Sequence, residues 1–195
     1  LDPVGAGRRQ IGTLSGLIKL SSLGPCWPEA GAALNGPPFL FEGGMISGNH
    51  NLIQRHAGEG ETIAEAIRDC LDYGKNPEKT ESGKYISAYE CDPATVADEF
   101  LLAKASYAAM TGREQKKAND VLCYQIRQSF YPGEITPQEA NRIGYELAMR
   151  WTKGRHAFIV TTHTDKQHIH CHIYYNSTTL DCTRKFRNFW GSSFA

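Results

Sequence analysis

Apolar and polar residues follow two periods along this chain, and each change of period marks an element. From Thr62 to Tyr73 the apolar positions Ile63, Ala66, Ile67, Cys70 and Leu71 recur every three or four residues, the spacing of one helical face. Thr62 precedes them as a helix cap, with Glu65 three residues on as its capping-box partner. The pattern stops at Tyr73-Gly74, which predicts a helix end with Gly74 in a left-handed C′ position. Lys75 to Lys84 is a polar loop, and Tyr85 to Ala88 a short strand. Asp92-Pro93 opens a second predicted helix to about Met110, stopped by Thr111-Gly112, and residues 113–119 are charged. Val121 to Phe130 reads as a strand that ends at Tyr131-Pro132-Gly133. Thr136-Pro137-Gln138-Glu139 starts a third helix with Pro at its first position, and that helix runs to about Trp151. Ala157 to Thr162 is apolar and β-branched, Ile169 to Asn176 alternates, and Thr164 to Gln167 is the turn between them. Strands joined by so short a turn pair antiparallel, so the fold class is α+β, with helices packed on an antiparallel sheet.

Residues 1–44 have neither period. Gly, Pro, Leu and Ser dominate there, the chain starts with Leu, and Met45 is its first methionine. This stretch reads either as a flexible extension or as sequence upstream of the true start, and the second reading is preferred. Residues 1–48 are thus an irregular N-terminal extension, with order starting near Asn49. Ile11 to Leu23 is apolar but lacks the cleavage site of a signal peptide. No run of about 18 apolar residues exists, which argues against membrane insertion. The six cysteines are scattered with no C-x-x-C pair, the usage of a reduced, cytoplasmic protein. Net charge is zero, against the basic surplus usual in nucleic-acid binders, yet Trp151 to Ala195 holds six Lys/Arg against two acids. Within that segment Arg184, Lys185 and Arg187 interleave with Phe186, Phe189 and Trp190, a composition suited to single-stranded DNA through phosphate pairing and base stacking. A solvated basic helix face has the same composition.

Four of the seven histidines, His163, His168, His170 and His172, fall within ten residues. Successive side chains of a strand point to opposite faces, so His168, His170, His172, Tyr174 and Asn176 share one face. Ile169, Cys171, Ile173 and Tyr175 form the other, a core face. Histidines at i and i+2 of a strand have Cα atoms about 6.5 Å apart, close enough for two imidazoles to share an ion. His163, ending the neighbouring strand, can add a third nitrogen across the hairpin, and Asp165 can orient a ligand histidine. Three protein ligands with open positions are the arrangement of a catalytic metal.

The segment H-T-D-K-Q-H-I-H-C-H-I-Y-Y-N, His163 to Asn176, resembles the third motif of the MobA/VirD2-type relaxases: H-x-D, four residues, H-x-H, three residues, N. The resemblance covers about residues 50–192. It includes K-N-P-E-K-T at 75–80, Y-Q-I-R-Q-S-F-Y-P-G-E at 124–134 and the tail T-L-D-C-T-R-K-F-R-N-F, and is nearest to relaxases of Gram-positive mobile elements. It implies a relaxase/replication-initiator-like single domain over 49–195, truncated at its C-terminus. It assigns His163, His170 and His172 as metal ligands, Asp165 as a catalytic acid, and Asn176 and His168 as accessory residues. The family's nucleophile is a tyrosine at the end of the first helix, in a pattern like L-x-Y before a basic loop; Leu71-Asp72-Tyr73-Gly74-Lys75 matches it, so Tyr73 is the candidate, with Tyr85, Tyr89 and Tyr174 in reserve. Ser129 resembles the motif that holds DNA beside the nick. Glu134 is either a further acid near the metal or the acid of a helix start. Cys171 stands where the nearest relatives lead one to expect Asn, and from the core face it is expected to leave the metal undisturbed.

The implied activity is a site- and strand-specific nick at an origin of transfer, through a covalent 5′-phosphotyrosine. A divalent cation assists, Mg²⁺ or Mn²⁺, although imidazole ligands also suit Zn²⁺. Single-stranded DNA and accessory mobilization proteins are the implied partners, and the bacterial cytoplasm the location. Three alternatives stay open. His168 to Tyr174 also satisfies the H-φ-H-φ-H-φ-φ pattern of histidine-triad nucleotide hydrolases and transferases, with His170 as nucleophile. A second is an inactive DNA-binding relaxase fragment. A replication initiator or transposase uses the same histidine–metal–tyrosine core.

Overall fold

The computed structural model describes residues 39–41, 44–46, 49–113 and 120–187. In chain order the elements are β1 (Phe39–Phe41), β2 (Gly44–Ile46), β3 (Asn49–Arg55), α1 (Ile63–Lys75), β4 (Ile86–Tyr89), α2 (Val96–Thr111), β5 (Cys123–Ser129), α3 (Pro137–Thr152), β6 (Phe158–His163) and β7 (His170–Asn176). Strands β1 and β2 pair with each other, Phe39 opposite Ile46, inside the stretch that lacks periodicity. The other five form one antiparallel sheet in the order β3-β5-β7-β6-β4. The histidine strand β7 is therefore central, flanked by β5 and β6.

The α+β expectation holds, with one strand added to the main sheet and the separate β1–β2 pair in addition. β3 pairs with β5 along seven residues, from Asn49 opposite Ser129 to Arg55 opposite Cys123. Its sequence N-H-N-L-I-Q-R shows no alternation because it is a sheet edge, and pairing with β5 determines its conformation.

Each helix forms for reasons visible in its ends. Thr62 and Glu65 close a reciprocal capping box at the start of α1. Thr136 caps α3, with Pro137 at its first turn. α2 starts later than Asp92-Pro93 suggests, because Asp92 instead closes a turn on the Ala94 amide at 2.7 Å and Thr95 becomes the cap.

Both faces of the sheet are covered. α3 lies on one, where Ile143, Leu147 and Ala148 meet Tyr124, Ile126, Phe158, Val160, Cys171, Ile173 and Tyr175. α1 and α2 lie on the other, where Ile67, Leu71, Val96 and Phe100 meet Cys123, Ile159 and Tyr174. Each buried Val, Leu, Ile or Phe among them contributes about 1.5–3 kcal/mol. The histidine face is thus not simply a polar row. Its Tyr174 end is core beneath α1, and Tyr174 itself is fully buried.

Gly74 departs from expectation. α1 continues through Lys75 to a cap at Asn76, and Gly74 is an ordinary helical residue. Its use is close approach: a Cβ there would stand 2.5 Å from Tyr174 Cε2 and 3.2 Å from Thr161 Oγ1. Gly144 does the same for α3, where a Cβ would meet Val160 Cγ1 at 2.9 Å. A glycine-to-alanine change on an exposed helix surface gains roughly 1 kcal/mol. Gly74→Ala is expected to do the opposite and cost about 1–3 kcal/mol through overpacking against a buried ring. Thermal unfolding checks this, and a melting temperature at or above wild type would refute the tight contact.

Candidate metal centre and its tyrosine

β7 places His170 and His172 on the α1 side of the sheet, and the β6–β7 register sets His163 directly opposite His170. The three imidazoles converge, with ring centroids 4.5 Å apart for His163–His172, 5.1 Å for His163–His170 and 5.3 Å for His170–His172. One nitrogen from each lies within 4.8 Å of the others, and among the described residues this trio forms the cluster able to hold a metal ion.

Hydrogen bonds orient the rings. His163 Nε2 lies 2.8 Å from the carbonyl oxygen of Gly74, which only accepts, so Nε2 carries the proton. Nδ1 keeps its lone pair, and it is buried without a partner. A ligand histidine that donates its other N–H to a backbone carbonyl is the usual arrangement around a bound metal. His172 Nδ1 lies 2.6 Å from the Gln125 amide nitrogen, and its Nε2 is also buried and unpartnered. Gln125 is held by Arg55, whose guanidinium donates to Oε1, with Nε at 3.1 Å. The free lone pair on His163 Nδ1 fits a divalent cation as it stands, and His172 Nε2, which carries the proton while Gln125 donates to Nδ1, joins it on a change of tautomer.

Burial also keeps these rings neutral. His172 is pushed down to about 2, first by desolvation and then by the other histidines and the charges of Arg127 and Lys79. His170 is lowered to about 4, again by burial first. His163 falls below its ordinary value for the same reason, opposed by the Gly74 carbonyl and by Asp165. Neutral imidazole is the form that ligates metal.

Tyr73 stands in the last turn of α1, one residue before the carbonyl that fixes His163. Its ring centroid lies 5.9 Å from that of His163 and 5.6 Å from that of His172, yet the residue is 51% exposed. It thus borders the histidines and solvent at once. Lys79, from the loop after α1, sets its ammonium 3.9 Å from the Tyr73 ring centroid. The reserve tyrosines fare differently. Tyr174 is buried with its phenol raised far above the usual range by desolvation, while Tyr85 is buried and Tyr89 stacks on Phe158.

The remaining candidates divide. Ser129 is paired opposite His170 on β5, on the histidine side. Asp165 is exposed beside Lys166 at 3.6 Å, and its charge still acts on His163 and His170. His168 lies before the strand, which starts at His170; its ring centroid is 5.3 Å from that of His170. Asn176, at the other end of β7, accepts from the Thr178 amide at 2.9 Å and shapes the following loop. Glu134 closes a turn by accepting from the Tyr131 amide at 2.8 Å. Cys171 faces α3 and packs near Ala140, as its strand position implies.

Arg184, Lys185 and Arg187 follow the far end of β7 and do not join the histidines. Lys185 is half-buried, donates to Ser177 Oγ at 3.2 Å, and is lowered to about 8 by burial first and Lys104 second. Phe186 is not free for base stacking, because it packs against Tyr124, Tyr175 and His156. Phe189 and Trp190 lie outside the described residues. The sequence reading missed Gln125, Arg127 and Lys79, although all three sit in the segments that carry the resemblance.

The chain is 29% identical over 144 residues to the group II intron-interrupted relaxase LtrB of Lactococcus lactis subsp. cremoris, covering 65% of this chain and 26% of that protein. It is 41% identical over 102 residues to a Protein rlx of Staphylococcus aureus, covering 52% of this chain and 29% of that protein, and 34% identical to another over the same length. The chain thus spans less than a third of the length of these relatives. The family model for the MobA/VirD2-like relaxase nuclease domain matches residues 73–194, so the chain belongs to that family.

Proposed function

We propose that this domain nicks one strand of DNA at an origin of transfer, with Tyr73 as nucleophile and His163, His170 and His172 holding a divalent cation, Mg²⁺ or Mn²⁺. The observation that carries the reading is the packing of the half-exposed Tyr73 ring against two of the three histidines. A strand of DNA can reach that hydroxyl from solvent, whereas the buried Tyr174 offers no such access.

The Tyr73 oxygen attacks phosphorus, a new P–O bond forms, and the bond from phosphorus to the 3′ oxygen breaks. The proton lost by the phenol is balanced by one gained at the leaving oxygen. A 5′-phosphotyrosine and a free 3′-hydroxyl result, and the retained ester lets the strand be rejoined. When bound, a divalent cation held by His163, His170 and His172 would supply Lewis-acid stabilisation of the negative charge that develops on the phosphate. This chain's residues hold that arrangement together. The Gly74 carbonyl fixes the His163 tautomer, Asp165 adds negative charge next to His163 and His170, and Ser129 stands where the neighbouring nucleotide would pass. The family membership favours this reading over histidine-triad chemistry, which needs no tyrosine beside the histidines. Accessory mobilization proteins and a cytoplasmic location belong to the same proposal. Arg184 and Arg187, exposed on a separate surface, are proposed to touch DNA away from the nick. Among the described residues no helix is long and apolar enough to cross a membrane.

A single-stranded oligonucleotide carrying the cognate origin, with Mn²⁺, should give a protein–DNA adduct that survives denaturation. EDTA should abolish it, and Tyr73→Phe should reduce it by about a thousandfold or more. An adduct that persists in Tyr73→Phe would move the nucleophile to another residue.

The Gln125 amide, as held by Arg55, donates to His172 Nδ1 and leaves the neutral ring's proton on Nε2. Ligation through Nε2 needs the other tautomer. Gln125→Glu supplies an acceptor in place of the donor, so it is expected to tighten Mn²⁺ binding by roughly tenfold, the scale on which such outer partners act. Titration of Mn²⁺ by electron paramagnetic resonance reads this directly, and weaker binding would refute it.

In the metal-free protein the three histidines have folded-state values below 6.5, so the unfolded chain takes up protons first. Stability is therefore fully present above about pH 6.5 and declines as the pH falls from there through about 4, where His170 protonates, towards about 2, where His172 does. Melting temperatures of EDTA-treated protein between pH 8 and pH 4.5 test the sign. His163→Gln should flatten part of that slope.

A further inference from the structure

Building on the nicking reading, we infer that Arg127 and Lys79 form an anion clamp for the phosphate being transferred, one on each side of His172. Arg127 lies on β5 directly opposite His172 in the β5–β7 register, so both side chains leave the same face of the sheet. Its Nε is buried and has no hydrogen-bond partner. A guanidinium with a buried, unsatisfied N–H is costly unless an acceptor arrives. Other cations near this face are already engaged. Arg55 is spent on Gln125, and Lys75 on Asp72 at 3.2 Å and the Pro93 carbonyl at 3.2 Å.

Lys79 approaches from the opposite side. Its amide donates to the Asn76 carbonyl at 3.0 Å and its own carbonyl accepts from the Thr164 amide at 2.9 Å, which pins the loop next to His163. Its ammonium rests over the Tyr73 ring. The charges of Arg127 and Lys79 both reach His172. Two cations thus flank a histidine trio suited to a divalent cation, and the Asp165 carboxylate, whose field reaches His163 and His170, is itself paired with Lys166. An anion between these groups offsets their mutual repulsion. A phosphodiester supplies that charge, and the planar guanidinium presents two donors to its non-bridging oxygens. Ser129, two residues along the same face from Arg127, continues the path with a hydroxyl. Arg127 and Lys79 therefore contact substrate, and the metal and the phosphate support each other's binding.

The test reads Mn²⁺ affinity by electron paramagnetic resonance, with and without a short oligothymidylate, for wild type, Arg127→Gln, Lys79→Gln and Arg127→Lys. In wild type the oligonucleotide should tighten Mn²⁺ binding by about tenfold, within the usual range of coupling between sites. Without oligonucleotide, Arg127→Gln and Lys79→Gln should each bind Mn²⁺ about two- to fivefold more tightly, because a repelling charge is gone. With oligonucleotide, each should lose most of the tightening, while Arg127→Lys retains part of it. A merely structural role moves the first quantity the other way: variants that bind Mn²⁺ more weakly without DNA would overturn the clamp. Coupling that stays at the wild-type level in both glutamine variants would overturn it too, as would absence of coupling in wild type. Coupling that behaves as expected in a protein that never forms a covalent adduct would uphold the clamp and refute the nicking reading instead.

Discussion

The hydrogen bond from His163 Nε2 to the carbonyl of Gly74 is the contact on which the site rests. It joins the end of β6 to the last turn of α1, two elements 89 residues apart in sequence. At one end it leaves Nδ1 of a ligand histidine as the free nitrogen. At the other it fixes the peptide next to Tyr73, so the proposed nucleophile and the histidine trio are positioned by the same bond. Gly74 permits it, because any side chain there would collide with the buried Tyr174 ring and hold the helix off the sheet. A backbone acceptor suits this task, since it cannot titrate and cannot rotate away.

The sheet contributes the rest of the order. β7 is hydrogen-bonded on both edges, so His170 and His172 emerge from the stiffest part of the molecule, with His163 and Ser129 both across from His170 on the two neighbouring strands. α1 covers the Tyr174 end of that face and leaves the histidine end beside the solvent-accessible tyrosine. The burial that excludes water also holds the imidazoles neutral, so preparation for metal follows from packing.

Much of this was legible in the sequence. The period of two in Ile169 to Asn176 separated ligand from core positions, and the caps at Thr62 and Thr136 marked two helix starts accurately. What escaped was non-local. β3 has no alternation of its own and owes its conformation to pairing with β5. Gly74 looked like a stop signal because a glycine that ends a helix and one that lets a helix touch a sheet read alike in one dimension. Phe186 looked available for bases because nothing nearby in sequence shows that Tyr124, Tyr175 and His156 enclose it. Gln125, Arg127 and Lys79 stood inside recognisable segments, but their bearing on His172 exists only across strands and loops.

The central position of β7 also guards against misassembly. A slip of one residue relative to β5 and β6 would turn every side chain over. Cys171, Ile173 and Tyr175 would then face α1, and the histidines would be driven into the apolar layer beneath α3, where Ile143 and Leu147 offer them no partner. Such a chain would lose its ion-binding trio and bury unsatisfied polar rings in one step. The alternation that makes the site thus also disfavours any one-residue slip of β7.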